Sequence, residues 1–219
     1  MWHSVWRGLR ATIPVALGVA PFGVAYGTVA AASMSPWQAQ LMSLTVFAGT
    51  AQFIAASMLS EGAAYLPVLL TGVLINLRLL LLSAALAPHV ASAPRALQPV
   101  LAQLLTDESF AVSLAEFEGR GSDWRFVVGS GLAIFGVWQV ATAVGMAFGA
   151  AIPSGLGLDF ALPASLICLL FLLVRGRRTV LVALGSAALS VGLVLVLPGT
   201  WNVMVATLLA ATVGAAWKR

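Results

Sequence analysis

Charge is what this sequence most conspicuously lacks. Only 8% of its 219 residues are Asp, Glu, Lys or Arg, against about 25% in a soluble globular domain. With 61% hydrophobic residues and a mean hydropathy of +1.02, a soluble fold is excluded. The composition predicts an all-α, polytopic membrane helical bundle. No polar stretch is long enough for a separate soluble domain, so residues 1–219 read as a single transmembrane domain. The one cysteine, Cys168, excludes an intramolecular disulfide and a cysteine metal cluster; in its apolar run it reads as a small buried residue. No cofactor is expected: there is no ligand set for a metal, and no glycine-rich stretch ends in Gly-Lys-Ser/Thr. Nor is an enzyme expected. An intramembrane serine hydrolase needs a histidine base beside its serine. Ser130 lies between two glycines, but the only histidines are the near-terminal His3 and His89, and His89 reads as an interfacial residue.

The 11 basic residues outnumber the 7 acidic ones. They sit in short loops, so they read as topology and not as a nucleic-acid surface. Arg7 and Arg10 precede an apolar run that, with Ala30 to Ala32 after it, has the outline of a cleaved signal. That run is long and contains Pro14, Pro21 and several glycines, so a retained first span is the expectation. Apolar runs follow at 12–32, 37–60, 65–87, 98–116, 126–150, 160–174, 180–197 and 201–217. That makes about seven to eight spans against the ~20 residues needed to cross a bilayer, with broken helices among them; the run at 160–174 is short and contains Pro163, so a full crossing is not expected of it with the same force. If 98–116 crosses, nine of the eleven basic residues fall on one side with both termini cytoplasmic. Arg95 then lies opposite, and Arg78 lies within the membrane. A re-entrant 98–116 is the second reading.

Polar residues inside these runs are the candidate functional groups. Arg78, with Asn76 two residues before it, sits near the middle of 65–87; a charge at that depth costs at least about 2.5 kcal/mol and needs a partner. The acidic candidates are Asp107 and Glu108, in Thr-Asp-Glu-Ser between apolar flanks. Thr106 or Asp107 suits a helix N-cap, so two half-helices meeting there are plausible; a surface amphipathic helix is the blander alternative. Gln52 reads either as an interhelical hydrogen bond or as a contact to a polar substrate group. Pro21-Phe22-Gly23 suggests a broken or kinked helix, a feature of transporter substrate sites, or simply close packing. Two small-residue faces, at 23–27 and 145–149, hint at an internal duplication.

Four stretches carry a resemblance. Phe47-Ala-Gly-Thr-Ala-Gln-Phe53, Leu74-Ile-Asn-Leu-Arg78, Leu105-Thr-Asp-Glu-Ser-Phe110 and Gly157-Leu-Asp-Phe-Ala-Leu-Pro163 occur in this order over nearly the whole chain. Together they resemble the AzlC family, the large subunit of branched-chain amino acid exporters. The resemblance implies a multi-pass protein of a bacterial inner membrane that exports valine, leucine, isoleucine, methionine or toxic analogues with a small, separately encoded AzlD-type membrane partner. The family usually places a histidine after the arginine of the third span. Here that position is Leu79, so any proton-coupling role of that histidine does not carry over. On physical grounds Arg78, or backbone N–H groups at a broken helix, would take a substrate carboxylate. Asp107 or Glu108, aided by Asn76 or Gln52, would take its ammonium. The alternatives are a buried structural ion pair at Arg78, and a channel or scaffold subunit without carrier activity.

Overall fold

The computed structural model describes residues 2–148 and 176–195, with the isolated positions 205, 206, 209 and 212–214. The expected span at 160–174, Cys168, the stretch at 157–163 and most of the span at 201–217 lie outside the described residues. The chain divides into two compact units, Met1–Ile167 and Cys168–Arg219. The helical class holds: the described elements are helices, with no strand among them. Three of them are long and apolar enough to cross a membrane.

Those three belong to the first unit: α1 (Trp2–Ala30), α4 (Tyr65–Val90) and α7 (Trp124–Phe148). α1 and α7 lie side by side and parallel. Gly8 meets Gly129's neighbours near their starts, and Gly27 meets Gly145 near their ends. Backbone occupies the space of a side chain at both places. A Cβ on Gly8 would lie 3.0 Å from the Ser130 nitrogen, and one on Gly27 would lie 2.9 Å from the Gly145 Cα. Small residues let apolar helices approach this closely where lipid offers no hydrophobic drive for association. Between the two contacts Thr12 donates to the Ser130 hydroxyl at 2.8 Å, and the rings of Tyr26 and Trp138 stack at 6.0 Å. Gly27 and Gly145, one from each of the two small-residue faces of the sequence, pack on one another.

α1 is not broken at Pro21. It is helical from Trp2 to Ala30 with Pro14 and Pro21 inside it. Pro21 is exposed while Gly23 is buried against Ala141 and Trp138. Continuous packing on α7 holds the helix through the hydrogen bond that proline removes.

The breaks fall elsewhere. The run at 37–60 is two helices, α2 (Pro36–Thr45) and α3 (Gly49–Ser60). Ser35 caps α2 in a reciprocal capping box with Gln38, and Pro36 occupies the first turn. Contacts show where the pair goes. Ser43 meets Thr142 at 3.1 Å, then the Phe47 ring meets Phe135 at 4.9 Å, closer to the start of α7. The path then reverses: Phe53 stacks on Phe22 at 5.5 Å, and Ser33, just past α1, donates to the Ala56 carbonyl at 3.3 Å. The segment enters from the C-terminal end of α1 and returns to it. It does not cross, contrary to the sequence expectation.

The run at 98–116 does the same from the other end. α5 (Gln98–Gln103) follows a short 3-10 turn at Arg95–Leu97, and α6 (Asp107–Arg120) follows α5. Leu101 and Leu105 pack with Leu86, Phe117 and Val127, and Leu104 abuts Gly131. α6 then returns: the His89 ring stacks on Phe117 at 5.1 Å and Glu116 pairs with Arg7 at 2.9 Å. The second-ranked, re-entrant reading is therefore the correct one here.

Two re-entrant hairpins in place of two crossings leave α1 and α7 parallel, but reverse α4. Arg95, expected opposite the other loop arginines, therefore lies at their end. Arg7, Arg10, Arg95, Arg120 and Arg125 share it, and the loops at 31–35 and 61–64 hold no basic residue. The reversal improves the charge asymmetry that orients membrane proteins.

Candidate functional site

The hairpins meet at the middle of α4. Arg78 Nη2 lies 2.9 Å from Asp107 Oδ2 in the first turn of α6 and 3.5 Å from Thr50 Oγ1 in the first turn of α3. One guanidinium therefore touches the inner ends of both hairpins. A second side chain ties the bends. Gln103, the last residue of α5, donates through Nε2 to the carbonyls of Leu44 and Thr45 at 3.1 and 3.2 Å. These carbonyls belong to the last turn of α2, where four carbonyls have no intrahelical partner.

The inner end of α6 is fully provided for. Thr106 is its N-cap; its hydroxyl accepts from Ser109 N at 3.2 Å, and Ser109 Oγ accepts from Thr106 N at 2.9 Å. Ser109 Oγ also donates to the Leu104 carbonyl at 3.0 Å, closing the bend. Asp107 and Glu108 stand in the first turn, where carboxylates suit the positive end of the helix. Asp107 is bound to Arg78. Glu108 is half-buried, within electrostatic reach of both, and its carboxylate faces the Thr106 hydroxyl and its own backbone N–H.

The inner end of α3 is provided for much less. Its N-cap is Ala48, with no side-chain cap. The preceding residue, Phe47, is held at φ +42°, a conformation that costs a bulky residue roughly 1–3 kcal/mol. Its ring is buried against Phe135. Gln52 is fully buried. Its Oε1 accepts from Ala48 N at 3.1 Å, while its Nε2 is buried with no hydrogen-bond partner. The Tyr26 hydroxyl is a neighbour, and it donates to the Ala39 carbonyl at 3.2 Å. Trp138 forms the floor: a Cβ on Gly49 would come 2.9 Å from its Cη2, and its own Nε1 is buried and unpartnered.

Of the residues singled out in the sequence, Arg78 and Asp107 are in contact and Glu108 is beside them. Gln52 lies in the first turn of α3. Asn76, two residues before Arg78, points to a different face of α4; it is half-buried, its Oδ1 buried without a partner. Gly23 packs under Trp138, and Pro21 faces away. The sequence assigned Thr50 only a packing role, and Gln103 and Trp138 no role in a site. Gln103 is an amide between apolar residues, the same signal that drew attention to Gln52.

Near the basic end, Glu116 accepts from Arg7 at 2.9 Å and from Arg120 at 3.5 Å, tying α6 to α1. His89 Nδ1 lies 2.7 Å from the Ser122 hydroxyl.

Similar proteins bear on this architecture. An uncharacterized membrane protein of Archaeoglobus fulgidus is 29% identical over 154 residues, 65% of this chain; the match spans 62% of the archaeal protein's length. The inner membrane protein YgaZ of Escherichia coli K12 is 25% identical over 167 residues, covering 72% of this chain and 68% of YgaZ. No solved structure matches. A family model described as AzlC protein matches residues 14–152. That range runs through α2 to α7 and through most of α1, so it includes every residue of the junction around Arg78, and the chain belongs to the AzlC family.

Proposed function

We propose that this chain is the large subunit of a secondary transporter that exports branched-chain amino acids, and methionine or similar analogues, across the bacterial inner membrane. The observation that carries the reading is the junction itself: two half-helix hairpins, entering from opposite ends, meet at Arg78. Transporter sites are commonly built from discontinuous helices near the midplane, where half-helix ends face the substrate. Irregular backbone at that depth is tolerated where protein or a water-filled cavity surrounds it. The polar groups suit a zwitterion, with donors at Arg78, Gln52 and the start of α3, and acceptors at Asp107, Glu108 and Asn76. Apolar neighbours such as Phe22, Phe47 and Phe53 suit an aliphatic side chain. One methylene discriminates only about 10- to 200-fold in such surroundings, so several aliphatic substrates are accepted. The arginine-rich end is the cytoplasmic one. α4 buries only Val68 and Leu86, leaving a long apolar surface for lipid and for a small AzlD-type partner.

The test is efflux of preloaded labelled valine, leucine and methionine from cells expressing this chain, alone and with a small partner. Efflux that requires the partner and fails in Arg78→Ala supports the reading. Absence of efflux of all three, with both proteins in the membrane, removes the substrate assignment. Normal efflux by Arg78→Ala makes the ion pair purely structural.

A further inference from the structure

Arg78 is the obvious group to receive a substrate carboxylate, yet in this structure it is committed to Asp107. Only its Nη2 is engaged, and its Nε is buried without a partner; further unspent donors stand at the start of α3. Helix geometry leaves the N–H groups of Gly49, Thr50 and Ala51 without intrahelical acceptors, and no side chain caps them. No acidic residue stands in the first turn, so the positive end of the helix dipole is not neutralised from within. An independent feature points the same way. Gln52 is fully buried, its Oε1 is pinned to Ala48 N at the mouth of the helix, and its Nε2 makes no hydrogen bond of ordinary geometry, with the Tyr26 hydroxyl as its polar neighbour. A buried donor left unmade costs about 1–3 kcal/mol. The unsatisfied groups at the start of α3 are donors, while the one unsatisfied acceptor of the junction is Asn76 Oδ1 on α4. A donor-only cluster at a helix N-terminus is matched by an anion.

We infer that the substrate's carboxylate is held at the N-terminal end of α3, by the amides of its first turn and the Nε2 of Gln52, and not by Arg78. The inference rests on the amino-acid reading above only for the identity of the ligand; the anion site itself does not need it. Arg78 becomes a positioning residue that neutralises Asp107 and holds Thr50. The substrate ammonium is then left to Glu108. Gly49 and Thr50 remain half-exposed while Gln52 is closed off, so a ligand arrives from the Arg78 side and closes over Gln52. The strained turn at Phe47 is the place where the hairpin gives.

The test uses the full chain purified in lipid nanodiscs, with three probes of one skeleton: leucine, 4-methylpentanoate (no ammonium) and 3-methylbutylamine (no carboxylate). The informative variant is Gln52→Glu. It keeps an oxygen for Ala48 N–H but removes both donors and adds a like charge. Gln52→Met is the neutral control. Binding of leucine and 4-methylpentanoate is expected to weaken about 10- to 100-fold in Gln52→Met, the worth of one or two hydrogen bonds to a charged group, and more in Gln52→Glu. Binding of 3-methylbutylamine is expected to stay within about twofold. Unchanged carboxylate binding in both variants overturns the inference, and so does equal loss of all three probes, which marks Gln52 as structural. If the wild-type chain binds 4-methylpentanoate in a Gln52-dependent way but not leucine, the anion site stands and the amino-acid reading falls. If it binds neither, both fall.

Discussion

α6 starts with a threonine cap, a reciprocal serine and two carboxylates, one of them paired with Arg78. α3 starts with an alanine, a strained phenylalanine and a buried amide whose nitrogen has no partner. These two helices occupy corresponding places in hairpins that enter from opposite ends, and both touch the same guanidinium. The difference separates two jobs. An end that satisfies itself has its geometry settled before any ligand arrives. An end left with free donors is ready for something that is not part of the chain, and it carries the cost of waiting for it.

The comparison can be attacked directly. The largest effect is expected from Arg78→Ala, which strands Asp107 at membrane depth. The pair is partly exposed, so the loss of stability should be about 1–3 kcal/mol and not the full cost of breaking a buried pair. Thermal unfolding in detergent measures it, and Asp107→Ala added to Arg78→Ala should recover part of the loss. Next is Gln103→Leu, which frees the Leu44 and Thr45 carbonyls where the bends touch. An expected cost of about 1–2 kcal/mol, with faster hydrogen exchange around 44–48, would confirm the tie; exchange unchanged there would deny it. Thr106→Ala should cost about 1 kcal/mol through the lost cap while leaving carboxylate binding at α3 intact. The smallest and sharpest change is Ala48→Ser. A cap on α3 should stabilise the fold by up to about 1 kcal/mol and, by occupying first-turn amides, weaken binding of 4-methylpentanoate. If it binds more tightly, the free amides are not the anion site.

Much of the site was legible in the chain because polar groups are costly in an apolar run. Arg78, Asp107, Glu108 and Gln52 stand out for that reason alone, and Thr-Asp-Glu-Ser announced a cap at Thr106 or Asp107. The direction of the chain was not legible. The runs at 37–60 and 98–116 are each apolar and long enough to cross, and hydropathy cannot distinguish a helix that continues from two that double back. Pro21 was a misleading signal for a break, because a helix packed along a neighbour absorbs one lost hydrogen bond. The actual break at Val46 to Ala48 carries no proline or glycine; only the fold holds Phe47 at positive φ.

The amino-acid sequence by itself determined the membrane class, the helical content, a cap at Thr106 or Asp107, and the few polar residues that can do chemistry. Each follows from local composition: too little charge for water, and too much apolar length for anything but lipid. The tertiary structure decided that two runs return to the end they came from, that α4 runs opposite to its expected direction, and that Arg95 joins the other loop arginines. It also decided that Arg78 is spent on Asp107 while Gln52 is left over. Those outcomes depend on which groups meet across roughly a hundred residues, as Ser43 meets Thr142, and no local pattern records such a meeting.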